Sequence, residues 1–342
     1  MNVFELTRAL VDIESTSEYE GDVGEYLFAH LERLALKTSG RVERMDVPKL
    51  DDTDRRFNVF AHWGDPIVTL STHMDTVPPF FSSREDDDFI YGRGSCDAKG
   101  IIAAMVAAAE QLLAGGVRDF GLLFVVGEER SSAGALTASR SPRGSRFMVN
   151  GEPTENKLAL ASKGAMRLEV TARGRMAHSA YPELGESAID ALLDTLEKIR
   201  RVALPTDALL GPGTLNIGTI SGGRVPNVIS DAAKAEILVR LVSDPEPLRR
   251  LFAAAGGPRV DVTEVLCIPA VHMEKVDGLV TTVVSFTTDI PVFNGAWGKP
   301  LLIGPGSIHV AHTRDERIPK RELSEAVEIY AGIVRKLLGG GD

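Results

Sequence analysis

Apolar residues recur at helical spacing through the start of the chain, predicting amphipathic helices over 3–13 and 22–35. Shorter stretches follow at 42–47, 58–62 and 67–71 and read as strands. An alanine-dense segment over 99–113 reads as a helix, stopped by Gly115-Gly116. Residues 121–126 form an unbroken apolar run, the pattern of a strand covered on both faces in a parallel sheet. With further short strands at 147–149 and 158–161, strands alternate with helices. The expected fold is α/β, with a mixed, mostly parallel sheet flanked by helices.

Near Ser162 the pattern changes. Apolar and polar residues alternate over 166–172, 214–221 and 233–241, as in strands with one face in a core. Helical periodicity occupies 187–201 and 246–255, and a last strand is predicted over 259–266. That order, β-α-β-β-α-β, is the split βαβ arrangement of a ferredoxin-like α+β unit. The α/β pattern resumes after Pro269, with a strand over 300–303 and a helix over 321–338. The expectation is a discontinuous catalytic domain, 1–161 plus 268–342, interrupted by an inserted domain over 162–267. Its hinges would fall at Ser162-Lys163-Gly164 and at 267–270.

A length of 342 residues suits two domains, and 44% hydrophobic with 25% charged residues is ordinary for a globular protein. The 38 basic residues against 48 acidic ones give a net charge of -10 without a dense basic tract. Neither nucleic acid nor an anionic membrane is therefore an expected partner. Only two cysteines, Cys96 and Cys267, are present, and the N-terminus shows neither a basic n-region nor an apolar h-region. A cytoplasmic location without a membrane span is the expectation.

Candidate chemistry lies where apolar runs stop. His73-Met74-Asp75, Gly94-Ser95-Cys96-Asp97, Gly127-Glu128-Glu129, Gly151-Glu152-Pro153 and Ala311-His312 each put acidic or imidazole groups there. In open α/β sheets the carboxyl ends of strands build the ligand site. Mixed nitrogen and carboxylate donors suggest zinc or a similar divalent ion. His73 and Asp75, two apart in extended chain, project to one side, so one can bind metal while the other orients it. Asp97 has a competing role as N-cap of the helix that follows. Glu128 and Glu129 can divide labour, one coordinating and one acting as base. His309, His30, His62 and His272 are rival ligands without a partner motif.

These residues resemble the M20 family of dinuclear metallopeptidases and amidohydrolases, in family order and over nearly the whole chain. The resemblance implies one metal held by His73 and Glu152, a second by Glu129 and His312, and Asp97 bridging them. Asp75 would orient His73, and Glu128 would be the general base. The inserted segment around His178, from Gly174 to Pro182, is similar to the family's lid and dimerisation domain, where the histidine acts on the partner subunit's oxyanion. Asn227 and Arg240 resemble residues that grip a substrate carboxylate, and Gly306 lies in a loop similar to the one that runs along the substrate. The cofactors implied are two divalent ions, zinc first, with cobalt or manganese accepted by the same ligands.

Glutamate at position 152 resembles the deacylase and glutamate carboxypeptidase branches. The wording at 73–77 is similar to deacetylases and carrier-protein carboxypeptidases of lysine and ornithine biosynthesis. The expected activity is removal of an acyl group from an N-acyl amino acid, acetylornithine, acetyllysine or succinyl-diaminopimelate being examples. A carboxypeptidase or dipeptidase on short peptides is the alternative within the same chemistry. A non-catalytic amino-acid-binding homologue is the alternative outside it.

Overall fold

The computed structural model describes residues 1–339, and its chain divides into two compact units. The first comprises Met1–Leu160, Met273–Thr282 and Thr288 onward. The second comprises Ala161–His272 and Val283–Thr287.

Helix Val3–Val11 opens the first unit behind a capping box, in which Asn2 Oδ1 accepts from Glu5 N and Glu5 Oε2 accepts from Asn2 N. Helix Gly21–Thr38 follows and ends on Ser39 in the left-handed conformation. The sheet runs in the order Arg41–Asp46, Phe57–Trp63, Phe120–Val125, Val68–His73, Phe147–Asn150, Lys299–Leu302, Leu158–Ser162. Strands Phe120–Val125, Val68–His73, Phe147–Asn150 and Lys299–Leu302 are mutually parallel, while the outer pairings are antiparallel.

Helix Lys99–Ala114 is apolar around nearly its whole circumference and accordingly lies buried. It packs against helices Val3–Val11 and Lys320–Gly339. Its Ile101 and Met105 press so close to the chain at Gly151 that a Cβ there would lie 2.4 Å and 2.5 Å from them. Glycine at that position lets the backbone leave the Phe147–Asn150 strand and deliver Glu152.

In the second unit four strands pair antiparallel in the order Thr214–Gly222, Ala232–Leu241, Gly164–Arg173, Val260–Ile268. Helices Ala188–Arg200 and Glu246–Ala255 bury Leu192, Leu196, Ile199 and Phe252 against Leu168, Val170, Ile237 and Val239. This is the split βαβ topology. Strand Thr214–Gly222 is an edge, and Ile220 on it is 57% exposed. Among the described residues no helix is long and apolar enough to cross a membrane.

Candidate metal centre

The four parallel strands end side by side, and each delivers a chemical group. His73 is the last residue of Val68–His73, Phe120–Val125 leads into Glu128 and Glu129, Phe147–Asn150 into Glu152, and Lys299–Leu302 into the loop that reaches His312. Asp97 enters from another direction, just before helix Lys99–Ala114. It does not cap that helix. The cap position belongs to Ala98 and has no side-chain hydrogen bond.

The oxygens of Asp97 are turned instead to two imidazoles. Its Oδ1 is 2.9 Å from His73 Nε2 and its Oδ2 is 3.4 Å from His312 Nε2. His312 Nε2 is also 2.8 Å from Glu129 Oε1. Ligand atoms of His73, Asp97 and Glu129 all lie within 4.8 Å of one another. Donors at about 2 Å from a tetrahedral metal stand roughly 3.3 Å apart, so these atoms lie near enough to close on an ion with small side-chain shifts. Glu152 adds a buried Oε1 that has no hydrogen-bond partner among the described residues. The donor set therefore fits divalent metal, with one carboxylate shared between two imidazoles and a buried oxygen of Glu152 left without a partner among the described residues.

Asp75 has more than one task. His73 Nδ1 lies 3.0 Å from the backbone oxygen of Asp75 and 3.4 Å from its carboxylate Oδ1, which leaves Nε2 for the site. The carboxylate's shorter bonds go elsewhere. Oδ1 accepts from Glu128 N at 3.0 Å, while Oδ2 accepts from Glu129 N at 3.1 Å and from Ser17 Oγ at 2.7 Å. Asp75 thus fixes the turn that carries both glutamates.

Electrostatics follow from packing several carboxylates around two histidines. Burial pushes Glu128 and Glu152 well above the ordinary carboxyl range; the charge of Glu152 raises Glu128 further, and those of Asp97, Asp289 and Glu129 raise Glu152. Burial also acts to raise Asp97, yet hydrogen bonds from His312 and His73 outweigh it and hold the group low. His312 is pushed up to about 10 by Asp97 and Glu129. Without metal, protons on the imidazoles supply the positive charge that the carboxylates demand. The Glu128 carboxylate makes no hydrogen bond among the described residues, whereas Glu129 is committed to His312.

The remaining sequence candidates lie elsewhere. His178 and Asn227 sit on neighbouring exposed loops of the second unit, tied by Ser179 N donating to Asn227 O and by Ile229 N donating to Ala177 O. His178 Nδ1 accepts from Ala180 N at 3.1 Å, so a neutral ring carries its proton on Nε2. Arg240, half-buried in strand Ala232–Leu241, makes no side-chain hydrogen bond or ion pair among the described residues. Gly306 is left-handed at φ 88°, and a Cβ there would lie 2.6 Å from Cys96 Sγ, which accounts for glycine by packing alone. Of the rival histidines, His30 approaches Glu110, His62 bonds Gly64 O, His272 approaches Asp207, and His309 is exposed.

Two buried acids near the site belong to no motif. Asp289 has both oxygens buried, with no partner at full hydrogen-bond geometry among the described residues, and burial, partly offset by nearby Ser132, pushes it up to about 6. Glu20 is likewise unpartnered, with Arg56 Nε 4.0 Å away, and burial followed by the charge of Asp75 pushes it up to about 8. Nothing in the local sequence marks either residue, because their neighbours are gathered by the fold.

Comparison with known proteins gives a consistent assignment. The pattern described as peptidase family M20/M25/M40 matches residues 69–336. A peptidase M20 domain-containing protein of Schizosaccharomyces pombe is 36% identical, covering 97% of this chain and 84% of its own. A probable carboxypeptidase of Ajellomyces dermatitidis is also 36% identical, over 96% of this chain and 85% of that protein. The solved aminopeptidase PepT of Bacillus cereus shares the fold with a TM-score of 0.80 at 19% identity, covering 98% of both chains. The YXEP protein of Bacillus subtilis, described as a dinuclear metal-binding peptidase, has a TM-score of 0.70 at 16% identity, again over 98% of each chain. The chain belongs to the M20/M25/M40 peptidase family and is a metal-dependent hydrolase of amide or peptide bonds.

Proposed function

We propose that the protein removes the acyl group from an N-acyl amino acid, in the manner of an acetylornithine or acetyllysine deacetylase or a succinyl-diaminopimelate desuccinylase. The observation that carries this reading is Asp97 presenting one oxygen to each of two histidines. Two divalent ions, zinc before cobalt or manganese, are held by His73, Asp97, Glu129, Glu152 and His312. When bound they supply Lewis acidity to the scissile carbonyl and to water.

The chain's own residues manage the rest. Glu128, whose carboxylate no other group engages, takes the proton of the attacking water on a carboxylate oxygen and returns it to the leaving nitrogen. Asp75 keeps His73 oriented and the two glutamates in place. His178 donates its Nε2–H to the oxyanion in the site of a second copy. Arg240 and Asn227 hold the substrate carboxylate, the guanidinium through paired hydrogen bonds, and the loop at Gly306 lines the substrate.

Homodimerisation through the inserted unit is part of this proposal. Its support is the edge strand Thr214–Gly222, whose outer backbone groups have no partner strand among the described residues and whose Ile220 is exposed. A cytoplasmic setting accords with Cys96 and Cys267, both unpaired.

A second reading, a carboxypeptidase acting on short peptides, is favoured by the name of the Ajellomyces relative. Metal content, followed by side-by-side turnover of N-acetylornithine, N-acetyllysine, succinyl-diaminopimelate and glutamyl peptides, separates the two. Faster acyl release supports the deacylase. Faster peptide cleavage replaces it with the carboxypeptidase.

A further inference from the structure

Glu316 is a buried carboxylate that the reaction as described does not use. It lies four residues after His312, which itself holds a left-handed φ of 63°. Strand Arg317–Pro319 pairs with Phe89–Tyr91, Arg317 opposite Tyr91, and this register sets Glu316 against the segment that precedes Asp97. Gly92 N donates to the backbone oxygen of Glu316 at 3.2 Å.

The side chain then closes the contact. Glu316 Oε1 accepts from three backbone amides, Gly94 N at 2.8 Å, Asp97 N at 3.2 Å and Cys96 N at 3.3 Å. Oε2 is held by Arg93 Nη1. Arg93 is itself anchored, its Nε donating to Pro79 O and its guanidinium lying 4.7 Å from the Phe81 ring centroid. Backbone amides of one turn converging on one point form a concave donor site, and an anion is its natural occupant. Here the occupant is supplied by the chain.

We propose that Glu316 is a positioning residue for the metal centre: braced by Arg93, it fixes the turn over 94–97 and thereby the placement of Asp97 between His73 and His312. One carboxylate links the segments carrying two of the proposed ligands, Asp97 through its own amide and His312 through four residues of chain. This inference rests on the metal-centre reading given above.

Glutamine cannot reproduce the arrangement. With its oxygen towards the three amides, its NH2 faces the Arg93 guanidinium; flipped, the NH2 faces the amides. Either way donor meets donor, and the turn must shift.

The test titrates metal-free parent, Glu316→Gln and Arg93→Lys proteins with zinc against a chromophoric chelator. Circular dichroism, melting temperature, and kcat and KM at saturating metal are measured alongside. For Glu316→Gln the expectation is zinc binding weakened by about tenfold or more, typical for groups that orient ligands. Secondary structure should be retained, and kcat should fall with KM within about twofold. Arg93→Lys, which keeps the positive charge, should show a smaller shift in the same direction and carries the test if Glu316→Gln does not fold. Parental zinc affinity in both variants, with only the melting temperature lowered, would overturn the brace and leave the metal centre standing. A parent protein that takes up no zinc would overturn the metal centre and the brace with it.

Discussion

The polar residues gathered at the candidate metal centre of the first unit and those on the loops of the inserted unit live under opposite conditions. His73, Asp75, Asp97 and Glu316 are buried, and each is bound to at least one other polar group. His178 and Asn227 are exposed, and among the described residues their side chains make a single hydrogen bond, from Ala180 N to the His178 ring. A buried charge costs several kcal/mol unless it is matched, so the first set must be built as a network. An exposed histidine carries no such cost and can wait for a ligand. The first unit should therefore answer substitution through metal and stability, the inserted unit through rate and assembly.

The sharpest challenge to that contrast is Glu128→Gln, which removes the proposed base but leaves every proposed ligand in place. Turnover is expected to fall by about 10³-fold or more, within the range of acid–base catalysis combined with lost charge, while metal content stays at the parental value. Loss of metal together with turnover would mean that Glu128 coordinates and that the division between the two glutamates is wrong.

Next in size is His178→Ala, expected to lower kcat by about 10²-fold, as loss of an oxyanion donor does, with metal content and melting temperature unchanged. Mixing this variant with Glu128→Gln then asks where His178 acts. Heterodimers regain one intact site if the histidine serves a partner copy, so activity should reappear on mixing. Two inactive variants that stay inactive after demonstrated subunit exchange would confine His178 to its own chain.

Much of the contrast was legible in the sequence, for a physical reason. Apolar runs such as 67–71 and 121–126 fit strands in a covered sheet, and charge placed directly after them then lies at the carboxyl ends of those strands. The alternation over 166–172 and 233–241 equally fits strands with one covered face. Assignments that depend on three-dimensional proximity were not legible from the residues alone. Asp97 keeps a competing role as a helix cap until two imidazoles are found on its oxygens, and Glu128 cannot be told from Glu129 until His312 is found on the latter. Arg93 and Glu316 both stand within motifs, yet their pairing spans 223 residues and depends on the register of a small sheet. Asp289 lies where the sequence pattern predicts no element, just ahead of the single-turn helix Ile290–Phe293.

The edge strand offers a middle-sized test of the inserted unit. Ile220→Lys places a charge on Thr214–Gly222 at a position that is 57% exposed in an isolated chain. If the strand forms the proposed dimer interface, light scattering should show dissociation at concentrations at least about tenfold higher than for the parent. The unfolding midpoint of the separated chain should change by less than about 0.5 kcal/mol, as for an ordinary surface substitution. An unchanged dimer would move the interface to another face of the unit.

The smallest expected effect lies behind the metal centre, at Glu20. Its carboxyl titrates at about 8 in the folded chain against 4.5 ordinarily, chiefly through burial and then through the charge of Asp75. Between those values the folded protein keeps a proton that the unfolded chain has released. Stability therefore declines as pH rises through that window, by up to about 1.4 kcal/mol per pH unit, and below about pH 4.5 the group contributes no slope because both states are protonated. Glu20→Gln retains the shape without the titration. Urea unfolding at pH 5.5 and 7.5 should show the variant gaining on the parent as pH rises. Parallel behaviour of the two proteins would mean that Arg56, 4.0 Å away, already keeps Glu20 ionised, and the acid behind Asp75 would then belong with the paired charges of the first unit.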